Sequence, residues 1–272
     1  MVQRRLYLLQ KAIVPGLALL WLCFSPATLA SARPDISPRF ILSLGSANQD
    51  LQTSSSMETF GSQALASLEE QAEQINRIFS AGPGISVRLR VLPAQDFTRI
   101  TGAPSWTSAM FYNGEITIPF RGTRFDKRDL KQALRHEYVH AVTSHLSGNR
   151  CPAWLDEGLA QLLEGKPNSL LGPALRKWIS KNNALSLDAL NDGFMALNNN
   201  IVPTAYAHSL LVTRNLVNSH GLSTIRKYLG ELAKGTSATK AFNRIYGKSQ
   251  AEYEANLTSI IRRWAESENP SP

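Results

Sequence analysis

Residues 136–140 read "HEYVH": two histidines four apart, with a glutamate directly after the first. On a helix, four residues turn through about 400°, so His136 and His140 stand about 40° apart, one turn above the other. Two imidazoles so placed can take two corners of a zinc tetrahedron. Glu137 projects beside them, where it can reach a water at the metal without being a ligand. That is the equipment of a metal-dependent hydrolase. The competing reading is a solvated helix that happens to carry these polar residues. Leu130, Leu134, Tyr138, Ala141 and Val142 argue against it, because they give the helix an apolar face and bring the histidines near the core. Buried imidazoles without partners are costly, and a metal removes that cost.

A catalytic zinc commonly takes three protein ligands and leaves a fourth place for water. The elongated pattern H-E-x-x-H-x-x-G-x-x-H does not supply the third, since Thr143 and Leu146 stand where its glycine and histidine would be and His145 is one residue out of register. The downstream segment "CPAWLDEGLAQLLEG" (151–165) is a better source, with Glu157 early in a short helix that can fold back on the first. Gly158 follows, at a helical cost of about 1 kcal/mol relative to alanine. A glycine there makes sense where another backbone passes very close. Asp156 and Gln161 are candidates to accept the second ring proton of a ligating histidine. Trp154 reads as a packing residue, Cys151 as a small core residue, and His145 and His220 as surface or helix-end residues.

The pair "HEYVH" and "AWLDEGLAQ" resembles the gluzincin metallopeptidases, and most of all their small peptidase-MA-like set. The resemblance extends over 57–268, through the hairpin "YNGEITIPF" and the downstream "AYAHSLLVTRNLVNSHG" and "AFNRIYGKSQAEYEANL". It implies a zincin-like fold, with Zn²⁺ held by His136, His140 and Glu157 and with Glu137 as the base. It further implies that a zinc-activated water attacks a peptide carbonyl, Glu137 taking the proton and passing it to the leaving amine. In the resembling proteins a tyrosine or similar donor lies where "AYAHSLL" falls, which makes Tyr206 a candidate to steady the oxyanion, with His208 behind it. The alternative for Tyr206 is a core stripe with Leu210 and Val217.

Several elements must position these residues. "RFILSLG" (39–45) reads as a short strand, and 57–80 as a helix with Leu68, Ala72, Ile75 and Ile78 at helical intervals. "ISVRLRVLP" (85–93) alternates like a half-buried strand, and 108–120 is a hairpin turning at Asn113-Gly114. Asp126 is the N-cap expected for a helix running to about Leu146. Further helices are expected at 152–164, 171–182, 204–219, 222–234, 236–246 and 249–267. Strands first and helices afterwards predict an α+β fold: a small antiparallel sheet with a packed helix, then a mainly helical half carrying the zinc site. Strand Glu115–Phe120 is expected to offer the edge against which substrate lies, and the loop 190–203 to form a mobile cleft wall.

The chain of 272 residues opens on Arg4, Arg5 and Lys11, an apolar run from Ala12 to Phe24, and Ala30-Ser31-Ala32. That describes a secretory signal peptide over 1–32, too short in its apolar part to span a bilayer, hence a secreted or periplasmic protein without a stable membrane span. A polar segment with a short strand (33–56) and a single domain (57–268) are expected to follow. Losing the signal removes Cys23, so Cys151 stands alone and no internal disulfide is expected. The full chain carries a net charge of +8, but its basic clusters are interspersed with acids and no basic-aromatic nucleic-acid module appears. The partner expected is a peptide or protein substrate, not nucleic acid; oligomeric state is not readable. Two other readings stay open: a non-catalytic binding protein on the same fold, and a zinc amidase acting on a non-protein bond such as one of the cell wall.

Overall fold

The computed structural model describes residues 39–44, 51–81, 84–122, 126–165, 168–191, 193, 194, 197, 198 and 200–267. The expected signal peptide lies outside them. The described residues fall in one compact unit. β1 (Arg39–Leu44) is followed by α1 (Leu51–Phe79), β2 (Ser86–Pro93), α2 (Ala94–Thr101) and the hairpin β3 (Met110–Tyr112) and β4 (Glu115–Phe120). The rest is helical: α3 (Lys127–Ser147), α4 (Ala153–Leu163), α5 (Leu171–Ile179), α6 (Val202–His220), α7 (Leu222–Ala233), α8 (Ala238–Tyr246), α9 (Gln250–Ala255) and α10 (Leu257–Glu266). The fold is α+β.

Alternation decides the inner face of the sheet. Val87, Leu89, Val91, Ile116 and Ile118 are all buried, and α1 covers them with Leu68, Ala72, Ile75 and Phe79 in one apolar cluster. The stripe of α1 thus ends on Phe79, while Ile78, expected to be part of it, is exposed. The hairpin turns on Asn113 and Gly114, both at positive φ (48° and 78°), as a primed two-residue turn requires.

The sheet corrects two expectations. Its order is β1-β2-β4-β3, and β2 runs parallel to both β1 and β4; only β3 and β4 are antiparallel. The sheet is therefore mixed. Parallel neighbours need long crossovers, which α1 supplies between β1 and β2, and α2 with β3 between β2 and β4. β2 pairs with the whole length of β4, and β3 with Glu115–Thr117 on the other side, so this half of the strand expected to offer the edge is covered. The edge on that side is β3, three residues long.

Other boundaries move as well. β1 (39–44) pairs with β2, and α1 begins at Leu51, six residues before the helix start expected from the sequence. α2 was not expected from the sequence; Phe97 anchors it under Leu92 and Ala103. The single helix expected over 249–267 breaks at Asn256 into α9 and α10, after a capping box on Ser249 and Glu252 starts α9.

Candidate metal centre

α3 begins where Asp126 accepts a hydrogen bond from the amide of Arg128, and ends at Gly148, which is left-handed at φ 61°. Asn149 is left-handed too (φ 61°). Two such residues in a row reverse the chain, and the reversal is fastened: the Ser147 hydroxyl accepts from the amides of Arg150 and Cys151. The Arg150 guanidinium donates to the carbonyls of Leu232 and Ala233 at the end of α7. α4 consequently runs back along α3, its start beside His140 and its end beside His136.

This return brings Glu157 to both histidines. Its Oε2 lies 3.7 Å from Nε2 of His136 and 4.0 Å from Nε2 of His140. One ligand atom from each of the three residues falls within 4.8 Å of the others. Three ligands at zinc-bond lengths, spread at tetrahedral angles, are about 3.4 Å apart. The observed spacing needs only a slight contraction to match. Glu157 Oε2 is buried and has no hydrogen-bond partner. A buried carboxylate oxygen without a partner is costly, and a cation at this point would satisfy it. The donor set fits zinc.

The other ring nitrogens are held from behind. Nδ1 of His136 is 2.8 Å from Glu164 Oε2, and Gln132 donates to the other oxygen of the same carboxylate at 3.0 Å. Nδ1 of His140 is 3.0 Å from Asp156 Oδ2, near enough for an ion pair but off-line for a hydrogen bond. Asp156 also accepts from the Thr143 hydroxyl, which ties it to α3. Of the two residues named from the sequence for this duty, Asp156 is the one that lies beside a ligand ring. Gln161 instead donates to the carbonyls of Glu157 and Tyr206, bridging α4 to α6. Glu164 was missed, although it lies seven residues after Glu157 and therefore on the same helical face.

Fixing the tautomer and orientation of a ligating histidine in this way typically contributes 10–100-fold in metal affinity. Glu164→Gln is expected to weaken zinc binding by about that factor, measured by competition with a chromogenic chelator. An unchanged affinity would make the contact incidental.

Charge dominates the electrostatics. Burial pushes both imidazoles down, but the carboxylates more than reverse it. Glu157 and Glu164, then Glu137, hold His136 well above its usual value. Asp156 and Glu157 raise His140 to about 9. Without metal, both rings hold protons at neutral pH, and a metal must displace them. Raised values stabilise the folded metal-free protein fully below the ordinary imidazole value of 6.5, and that contribution is lost as pH climbs through about 9. Zinc affinity changes the opposite way, rising across the same window. The melting temperature of chelator-treated protein should therefore fall between pH 6.5 and 9 while the shift produced by added zinc grows. His140→Gln should flatten both trends, and a melting temperature that rises with pH in the wild type would contradict the assignment.

Glu137 lies apart from the three ligand atoms. Its Oε2 accepts a 2.6 Å hydrogen bond from the backbone amide of Phe111 on β3. One oxygen is thereby fixed to the sheet edge. No side-chain pattern could have announced this partner, because it is a main-chain group.

Gly158, the neighbour of Glu157, sits where α6 crosses α4. A Cβ there would fall 2.5 Å from the carbonyl oxygen of Ser209 and onto the Thr213 hydroxyl. The close backbone expected from the sequence is α6.

Tyr206 is half-buried on α6 and stacks on Phe194, with centroids 4.7 Å apart and planes 20° from parallel. Burial pushes its phenol up, with further contributions from Glu157 and Glu137. It therefore stays protonated, a donor within electrostatic reach of both glutamates. Phe194 is buried, so the 190–203 loop is pinned to the core at this residue. The helper role expected of His208 needs correction. It is wholly buried, neither ring nitrogen has a partner, and burial lowers it to about 4. Two residues on from Tyr206, it points about 200° away around the helix. His208 is an interior residue and is not brought to the three ligands.

A family model described as the peptidase MA superfamily matches residues 95–263, well over half of the chain. The chain belongs to the peptidase MA superfamily. None of the curated proteins matches it. Within this peptidase MA domain the matched span runs from α2 to α10 and includes the edge strand β3, both metal-site helices and Tyr206. Membership makes the domain metallopeptidase-like, in a superfamily typically dependent on zinc.

Proposed function

We propose that this protein is an exported zinc peptidase of the gluzincin type, hydrolysing peptide bonds with Glu137 as general base. The observation that carries the reading is the convergence of His136, His140 and Glu157 on one point, with the Glu137 carboxylate on the adjoining turn of the same helix. Bound zinc would be held by those three side chains, and it supplies the Lewis acidity that activates a water and polarises a carbonyl. Everything else is the work of the chain. Glu137, steadied by the Phe111 amide, takes the proton of the attacking water and delivers it to the departing amine. Tyr206 donates to the oxygen on which charge develops. The export reading rests on the basic, apolar and small-residue order of 1–32; among the described residues no helix is long and apolar enough to cross a membrane. The partner is a peptide or protein chain.

The test is zinc content of the purified protein together with hydrolysis of a mixed peptide library, before and after chelation and after zinc is restored. Stoichiometric zinc with no cleavage would sink the peptidase reading in favour of a binding role. Cleavage of a cell-wall amide alone would move it to the amidase reading. Tyr206→Phe keeps the stack on Phe194 and removes the hydroxyl. Losing one oxyanion donor costs about 10²–10³ in kcat, and that fall is expected here with zinc content unchanged. Unaltered turnover would return Tyr206 to the core stripe.

A further inference from the structure

A cavity of about 390 Å³ opens between the carboxyl end of α3, the β3–β4 turn and the start of β2. Ala141 and Ser144 line it, four and seven residues after Glu137, so they fall within about 40° of Glu137 around α3 and about 6 and 10 Å farther along it. The opposite wall includes Phe111, the residue whose amide holds Glu137. An extended peptide advances about 3.3 Å per residue. A chain with its reacting carbonyl at Glu137 and running toward the carboxyl end of α3 would place a side chain in this cavity two or three residues away.

The lining is polar but almost uncharged. Among the described residues it contains no carboxylate, ammonium or guanidinium group, and His145 is its one ionisable side chain. Ser144 donates its hydroxyl to Oδ1 of Asn149, which commits that oxygen and leaves Nδ2 as a donor. Asn113 contributes a second carboxamide, while Phe111 and Ile85 supply apolar walls. Gly84 lines the mouth at φ 112°, a conformation that favours glycine. The space is larger than any single side chain and is open to solvent on one side. A charged occupant finds no counter-charge in this lining, whereas an amide finds donors and acceptors of its own kind.

Building on the peptidase reading, we propose that this cavity is a specificity subsite for a neutral carboxamide side chain, glutamine or asparagine, two or three residues from the cleaved bond. Asn113, Ser144 and Asn149 are its recognition groups. His145, expected to be an ordinary helix-end residue, forms part of its rim.

The experiment gives the zinc-loaded protein a peptide library in which the second and third residues on each side of the cleaved bond are Gln, Glu, Lys or Leu. Cleavage is read by mass spectrometry. Glutamine is expected to be preferred at one of these positions by about tenfold, the worth of one or two neutral hydrogen bonds. Ser144→Phe removes the hydroxyl, narrows the cavity beside Asn149 and should abolish the preference. Asn149→Asp keeps a side chain that tolerates the left-handed backbone and adds a carboxylate, so it should turn the preference toward lysine. No preference for glutamine, or one that survives both variants, overturns the subsite. If the wild type cleaves nothing, the peptidase reading fails separately, and the cavity is judged by fluorescence anisotropy of a labelled glutamine peptide. Weaker binding by Ser144→Phe than by wild type would then support it, and equal binding would overturn it.

Discussion

Glu137→Gln is expected to lower peptide hydrolysis by about 10³-fold, equivalent to about 4 kcal/mol of barrier, while leaving zinc stoichiometry intact. The side chain is not among the three that converge on the metal point, so its charge is not needed to hold a cation there. Glutamine keeps an oxygen that can accept from the Phe111 amide, so the position of the group against β3 survives. What disappears is the capacity to take a proton from water and return it to an amine. Parallel measurements of kcat and of zinc by atomic absorption separate the two effects. Zinc loss would make Glu137 a ligand; turnover within tenfold of wild type would mean that another group acts as base.

The second large effect concerns a residue that touches no substrate. Helix propensity says that Gly158→Ala should stabilise α4 by about 1 kcal/mol. The packing says the reverse. The added methyl would meet the Ser209 carbonyl at 2.5 Å, and a main-chain atom cannot swing aside as a flexible side chain can. Overpacking costs up to about 3 kcal/mol, so the net change is a loss of about 2 kcal/mol, or roughly 4–8 °C in melting temperature for a domain of this size. To relieve the contact α4 must shift, and Glu157 shifts with it. Zinc affinity should fall in the same variant. A stabilised Gly158→Ala with normal zinc binding would show that α6 does not press on this position.

Much of the site was legible because its residues repeat at helical intervals. His136 and His140 share a face by their spacing alone, Asp126 announced the start of α3, and Gly158 announced the crossing of a neighbour. The α+β arrangement followed from strand-like alternation in 85–93 and 108–120 giving way to helical periods. What escaped depended on contacts between distant parts of the chain. Alternation in β2 is the same whether its neighbours run parallel or antiparallel, so the mixed sheet could not be read from it. The internal place of β4 depends on β2 coming alongside, a pairing that local sequence does not state. Phe111 acts through its amide, which every residue but proline possesses. His208 looked like chemistry because of its type; its complete burial, with neither ring nitrogen partnered, argues for an interior residue. Glu164 was within reach of the same arithmetic that found Glu157, one heptad on.

The fastening of the α3–α4 reversal to the end of α7 has a bearing on how little of this chain could work alone. A peptide ending near residue 165 would carry both histidines and every carboxylate of the centre. It would lack the Leu232 and Ala233 carbonyls that anchor Arg150 and the α6 backbone that seats Gly158. Its two helices would be free to splay, and the entropy of holding them together would have to come from the metal itself. The C-terminal helices are thus the frame that spares the cation that work.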